Sequence, residues 1–447
     1  MFFFRKFFSI AWPISLQQIM ITLLSVVDIL MIGHLSNEAI AGVGLGNRIQ
    51  LFFSVIILGL VGAVGILSSQ YIGAKKYEKL SKIVVMGLLL SWGFLFPSCT
   101  FLIFNSSDIL SFLFDDVTLV SHISNYLRFT LPSLFFLSFI AAIENTMRAN
   151  HQVKLPLVFS ALSIFLNIIL NYWLINGGMG IAPLGVEGAA IATLLARMFH
   201  AFVILYYLNL VQHFCLPKLK DFLSIINYPH WGGFLKVALP MAASFGLWAA
   251  GNLTYHLIYG ILGTEALAIV SFFLPIESML IALFFGLSSA CNIMVGNHLG
   301  ASNFKQAYDY AFKFIFCACF GAIFIGVLLY VFQSILLESI YPDGLNFSNV
   351  VPSIFSIVSL LVWVRVLNMT LGFGILHSGG DNKFCMIGDF VGMWLIGIPT
   401  MYFVAISGYS LFIVVLFSYL EEFVKVFIFG LRFLSKRWLR NLTLANQ

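Results

Sequence analysis

Long apolar runs, separated by short polar or glycine-containing segments, set the pattern of the chain. A bilayer core about 30 Å thick takes about 20 apolar residues per helix. Runs of that size fall near 12–34, 46–68, 84–105, 123–146, 155–176 and 187–210. A second set falls near 235–259, 266–293, 310–332, 350–376, 384–406 and 410–432. The pattern predicts an all-α integral membrane protein of twelve transmembrane helices, arranged as two sets of six.

Internal similarity supports the halving. HLSNEAIAGV at 34–43 resembles ILGTEALAIV at 261–270, and QYIGAKKYEKL at 70–80 resembles NHLGASNFKQA at 297–307. One constant offset relates both pairs, matching Glu38 with Glu265, Ala41 with Ala268, Gly59 with Gly286 and Gly73 with Gly300. The expected organisation is two pseudo-symmetric bundles: an N-lobe over 1–211, a linker over 212–234, and a C-lobe over 235–447 with a short basic tail. Parallel halves rocking about a central site are a common transporter design.

Composition and charge sharpen this reading. Of 447 residues, 61% are hydrophobic and 9% charged, against about 45–50% and 25% in soluble domains. That leaves too little polar surface to cover a soluble globule, which excludes a soluble enzyme or a nucleic-acid binder. With the N-terminus inside, nineteen of the 23 basic residues, Lys425 among them, fall in cytoplasmic segments and none in outer loops. By the positive-inside rule, both termini are expected to be cytoplasmic. Arg5 and Lys6 precede a first helix with no small-residue cleavage site, so that helix reads as retained. The six cysteines show neither a paired framework nor metal-ligand spacing.

Ionisable groups inside a membrane are costly and are functional candidates by default. Asp28, in SVVDILMIG, has no basic residue within helical reach in its own helix. It must be protonated, bind a cation, or pair with another helix. Asn167 and Asn171 in FLNIILNYWLI are four apart and share a helix face. Thr193 adds a hydroxyl. These oxygens suit a small cation such as Na+, and they equally suit an aspartate that gains and loses a proton. The amides also have a structural reading, as interhelical hydrogen bonds. In the second half Tyr255 stands where Asp28 stands in the first, and the polar intramembrane residues there are His256, Glu277, Arg365 and Asn368. Glu277 and Arg365 can neutralise each other. Glu144 and Asp389 lie near cytoplasmic helix ends, where water is within reach.

The chain resembles the multidrug and toxic compound extrusion (MATE) family of the wider flippase superfamily. The segments VVDILMIGHLSNEAIAGVGLGNRI, SSQYIGAKKYEKL, FLNIILNYWLINGGMGIAPLGVEGAAIAT and VGNHLGASN carry the resemblance over nearly the whole chain. GILHSGGDNKF looks like the family's turn after helix ten, with His377 where arginine is usual. The resemblance implies export of organic, cationic, drug-like compounds in exchange for Na+ or H+, by a V-shaped cavity that opens to one side at a time. It implies an ion-coupling site at Asp28, Asn167, Asn171 and Thr193, with Pro13 as the hinge of the first helix. Trp248 stands where one branch of the family has a helix-seven glutamate, and Val366 near that branch's helix-ten aspartate. Coupling is therefore expected in the N-lobe, with Trp248, Tyr255, His256, Glu277, Arg365 and Asn368 as possible C-lobe substrate or ion contacts. The implied partners are a small organic substrate and the lipid bilayer, with no nucleic acid and no cofactor beyond the coupling ion. The implied state is a monomer in a bacterial inner membrane. The rivals are a lipid-linked oligosaccharide flippase of the same superfamily and an integral membrane transferase. The first would need several intramembrane arginines for a pyrophosphate, and the second a catalytic cluster at one interface.

Overall fold

The computed structural model describes residues 2–33, 35–178, 180–225, 230–340 and 350–444. His34 of the first repeat segment, residues 226–229 of the expected linker and the end of the basic tail lie outside the described residues. Helices dominate: α1 (Phe2–Ile32), α2 (Asn37–Gly73), α3 (Leu80–Leu113), α4 (Val117–Thr130), α5 (Ser133–Ala149), α6 (Lys154–Asn176), α7 (Gly185–Leu210), and the short α8 (Leu219–Ile225). The second half continues with α9 (Trp231–Ile261), α10 (Thr264–Gly300), α11 (Phe304–Val331), α12 (Gln333–Ile340), α13 (Val350–Met369), α14 (Asn382–Asp389), α15 (Ile398–Ile406), α16 (Leu411–Ser418) and α17 (Leu420–Leu434).

Among the described residues, ten spans are long and apolar enough to cross a membrane, and the bent pair α4–α5 makes an eleventh. The pair bends by 41° at Leu131–Pro132, where proline removes a backbone donor from the ladder. The expected single helix near 123–146 is therefore two pieces. The last expected run, near 410–432, is likewise divided, into α16 and α17 on either side of Tyr419.

The repeat is written into the backbone. Helices α2 and α10 are both 37 residues long, and their starts at Asn37 and Thr264 keep the offset that relates Glu38 to Glu265. Each ends on a glycine followed by an alanine cap. Lys75 and Ser302, equivalent at the same offset, both take φ 58°, a left-handed conformation rare for side-chain-bearing residues.

Packing divides the chain into two compact units, Leu16–Ala242 in one, and the residues up to Ser15 together with those from Ala243 onward in the other. The chain thus changes unit inside α1 and inside α9. Close helix approach is the reason. A Cβ on Gly286 of α10 would overlap the Ala11 carbonyl and Ser15 of α1, and Ser15 Oγ donates to the Leu283 carbonyl at 2.5 Å. The same design recurs at the equivalent position of the first half: a Cβ on Gly59 of α2 would stand 2.6 Å from Ala242 Cα in α9. Pro13 and Pro240, again a repeat-related pair, lie inside α1 and α9 beside these crossings.

Two π-helical stretches, 370–376 and 390–397, interrupt the crossings formed by α13 and by α14–α15. Such wide turns are rare and gather at functional sites.

Candidate functional site

In the unit Leu16–Ala242, Asp28 on α1 meets the polar pair on α6. Asn171 Nδ2 donates to Asp28 Oδ1 at 2.7 Å and to Asn167 Oδ1 at 3.1 Å. Both asparagines are buried, Asn171 at 1% exposure. Their i, i+4 spacing stacks the two amides, so one NH2 group bridges two acceptor oxygens and its orientation is fixed from both sides. Asn171 Oδ1 is left buried and without a hydrogen-bond partner. Thr193 does not join them: its hydroxyl donates to the Ala189 carbonyl one turn back in α7.

Three residues that sequence reasoning had not singled out, Arg197, Gln50 and Tyr126, stand by this site. Arg197 on α7 donates through Nη1 to Ser133 Oγ at 2.7 Å. The Gln50 amide oxygen, oriented to accept, lies 3.2 and 3.3 Å from its terminal nitrogens. The buried Tyr126 of α4 holds its hydroxyl 3.5 Å from the same amide. The charge that acts on Asp28 is that of Arg197, so the cationic neighbour missing from α1 is supplied by α7. Arg197 has no direct carboxylate partner among the described residues.

A second cluster of this unit ties four helices together. Glu144 (α5) is ion-paired to Arg148 at 2.8 Å, accepts from Gln17 (α1) at 3.0 Å, and lies 3.2 Å from His200 Nε2 (α7). Ser160 (α6) donates to its other oxygen at 3.4 Å. Glu144 is 4% exposed, so the expected access to water at the helix end is replaced by full pairing, as buried charge requires.

The other unit holds a larger ionic network. Glu277 (α10) pairs with Arg365 (α13) and accepts from the Tyr419 hydroxyl at 3.1 Å, while the guanidinium lies over the Tyr419 ring at 4.6 Å. Arg365 also reaches Glu422 (α17) at 3.6 Å, and Asn368 donates to Glu422 at 2.6 Å. Glu421, next along α17, accepts from Tyr255 at 2.5 Å and pairs with Lys425 at 3.2 Å. Ser244 donates to Asp389. The 390–397 π-turn makes room for part of this network: a Cβ on Gly392 would come 2.7 Å from Lys425 Cγ, and one on Gly397 would overlap the Tyr255 hydroxyl.

This changes two expectations. Lys425, counted among cytoplasmic charges, is 6% exposed inside α17, because the i, i+4 carboxylate of Glu421 neutralises it there. Tyr255 does replace the acid of the first half, yet its hydroxyl meets an acid of α17, Glu421, with Glu422 next along the helix. The remaining candidates lie apart from hydrogen-bonded networks. His256 Nδ1 bonds the Asn252 carbonyl of its own helix at 2.8 Å, and Trp248 is half exposed. Pro13 sits within an unbroken α1. Among the described residues no three His, Cys, Asp or Glu side chains converge as metal ligands, and all six cysteines are free thiols.

Ten apolar spans among the described residues, eleven with the bent pair α4–α5, lie in two repeated halves with ionisable groups enclosed in each unit, and define a multi-pass membrane protein of the transporter class. Enzymatic machinery plays no part in this class. The chain belongs to the MatE family, whose pattern matches residues 13–173 and 240–403. The two matched segments begin at Pro13 and Pro240, the repeat-related prolines of α1 and α9. Similar proteins include the probable multidrug resistance protein NorM of Thermotoga maritima, 24% identical over 405 residues spanning 89% of this chain and 85% of that protein. The multidrug resistance protein NorM of Burkholderia vietnamiensis is 26% identical over 407 residues, covering 89% and 86%. Among solved structures, the eukaryotic MATE transporter AtDTX14 superposes with a TM-score of 0.85 at 21% identity, over 99% of this chain and 98% of that one.

Proposed function

We propose that this protein is a secondary active antiporter of a bacterial inner membrane, monomeric and with both termini cytoplasmic. It exports organic, cationic, drug-like compounds in exchange for Na+ or H+ by alternating access, and it couples the two flows at Asp28. The contact that carries the reading is Asn171 to Asp28 at 2.7 Å, a membrane carboxylate held by a buried amide pair. Multidrug resistance proteins among the relatives support the substrate class. An ion bound at Asp28 favours the substrate-releasing state, and mutual exclusion of ion and substrate is a coupling free energy of about 1–3 kcal/mol.

The test is cationic-dye efflux from vesicles holding the purified protein, with sodium and pH gradients imposed separately. Efflux driven by one gradient and abolished in Asp28→Asn is the expected result. Gradient-driven efflux that survives Asp28→Asn refutes coupling at this residue. Absence of dye efflux together with movement of a lipid-linked oligosaccharide moves the assignment to a flippase of the same superfamily.

A further inference from the structure

We propose that the C-terminal tail, residues 435–444, is a fixed cationic platform that binds anionic phospholipid headgroups in the leaflet at that end of the molecule. The binding needs neither a gradient nor Asp28, so it stands apart from the transport reading.

A chain terminus is poorly ordered unless something ties it down. This one is stitched to the unit from Ala243 onward. Trp438 is fully buried, stacks on Phe433 at 5.8 Å between ring centroids, and donates through Nε1 to the Phe433 carbonyl at 3.1 Å. Asn441 Nδ2 donates to the Gly300 carbonyl at 3.0 Å and to Ser302 Oγ at 2.8 Å, where α10 gives way to α11. Its Oδ1 accepts from the amide and the hydroxyl of Thr443, which is 2% exposed. The turn after the 370–376 π-stretch makes room for the tail with two glycines. A Cβ on Gly379 would overlap the Trp438 carbonyl, and one on Gly380, already at φ 74°, would come 2.8 Å from Leu442 Cδ2.

Anchoring one face of the tail fixes what the other presents. Lys436, Arg437 and Arg440 are exposed on it, and Lys436 Nζ lies over the Tyr308 ring of α11 at 4.8 Å. Two neighbouring segments add exposed lysines, Lys305 just beyond Ser302 and Lys383 just beyond Gly380. Among the described residues the acids at this end are Asp309, exposed on α11, and Asp381, which Arg432 pairs at 3.0 Å. These five exposed cations therefore have Asp309 as their one exposed counter-charge.

The surroundings point to a lipid surface. Leu434 and Leu444, at 65% and 55% exposure, flank the cations of the tail, and Leu434 ends α17, whose Phe427 and Leu431 are also exposed. Apolar side chains beside lysine and arginine at the end of an apolar helix match the boundary between headgroups and acyl chains. A juxtamembrane basic segment gains about fivefold in affinity for an anionic surface per Lys or Arg. The five cations stand on separate segments and do not ring one pocket. A single soluble anion therefore meets one or two of them, while a layer of headgroups meets them all.

The experiment is native mass spectrometry of the full chain in detergent, titrated with dioleoyl phosphatidylglycerol or dioleoyl phosphatidylcholine, with thermal melts in the same mixtures. The wild type should take up phosphatidylglycerol in preference and be stabilised by it, and the stabilisation should fade in about 1 M salt. Lys436→Gln/Arg437→Gln/Arg440→Gln should weaken the tightest phosphatidylglycerol site by about one hundredfold. It should melt like the wild type in phosphatidylcholine, since Trp438 and Asn441 still hold the tail. Arg437→Gln alone should cost about fivefold, and it serves if the triple variant fails to fold. Lys75→Gln/Lys218→Gln/Lys220→Gln removes the same exposed charge from the other unit and should leave the site intact. Equal uptake of the two lipids by the wild type overturns the proposal. So does a control variant that loses as much affinity as the tail variant, or a tail variant that loses none. Competition by soluble glycerol phosphate at the lipid's own concentration overturns the assignment to a headgroup layer.

Discussion

Replacing Lys425 with methionine tests whether α17 carries a buried ion pair or a solvated one. Lys425 Nζ lies 3.2 Å from Glu421 Oε1, with the two side chains 7% and 4% exposed. At an effective dielectric of 20, a pair at that distance attracts by about 5 kcal/mol. Methionine keeps the volume and removes lysine's own desolvation cost, but it leaves Glu421 without its cation. The net loss from breaking one side of such a pair is about 3–5 kcal/mol. The unit from Ala243 onward has about 200 residues, and at that size each kcal/mol lowers the melting temperature by about 2–4 °C. Lys425→Met should therefore melt roughly 6–20 °C below the wild type. Thermal unfolding in mild detergent, followed by tryptophan fluorescence, reads this directly, since Trp363 packs against Phe423 beside the pair. The double variant Glu421→Gln/Lys425→Met should recover most of the loss, because glutamine needs no counter-charge and still accepts from Tyr255. A single variant that melts within about 2 °C of the wild type, or a double variant no better than the single, refutes the pairing argument.

Gly286→Ala and Gly59→Ala should each cost about 1–3 kcal/mol, because the new methyl meets the backbone of α1 or of α9. Gly44→Ala in the same α2, where nothing lies within 4 Å, should be neutral or stabilising by up to about 1 kcal/mol, and detergent melts of the three compare them. At the head of α4, Asp116 accepts from the Thr118 hydroxyl and from the Thr118 and Leu119 amides, and the Thr118 hydroxyl bond leads in holding its carboxyl below the usual range. A depressed carboxyl stabilises above its unfolded pKa and loses that effect as pH falls through the folded one. The protection of the Thr118 and Leu119 amides against exchange, relative to their intrinsic rates, should thus hold through neutral pH and be lost only in acid below the usual carboxylate range. Protection lost already at pH 6 would contradict the cap. Tyr255→Phe, which strips Glu421 of a 2.5 Å hydrogen bond, should lower stability by about 1.5–3 kcal/mol in the same melts.

The sequence alone determined the solvent, the crossings and the duplication, since these are properties of contiguous stretches. An apolar run long enough to span a bilayer does so whatever surrounds it, and a constant offset between matching segments is visible without coordinates. Asp28 was legible as a charge with no local partner, and Asn167 with Asn171 as a pair one helical turn apart. The partners across helices were not legible. Arg197 lies five crossings along the chain from Asp28, on α7 and not on α1, and nothing in RMFHAF marks it as the cation of that site. Likewise the Glu-Glu-x-x-Lys run at 421–425 reads the same whether solvated or enclosed, because i, i+4 opposite charges occur in both settings. Thr193 looked like a ligand from its place at the end of GAAIAT, but the hydroxyl found the nearer carbonyl of its own helix. Only tertiary packing decided which unit each end of α1 and α9 joins, because that choice depends on where Gly59 and Gly286 leave room for another backbone.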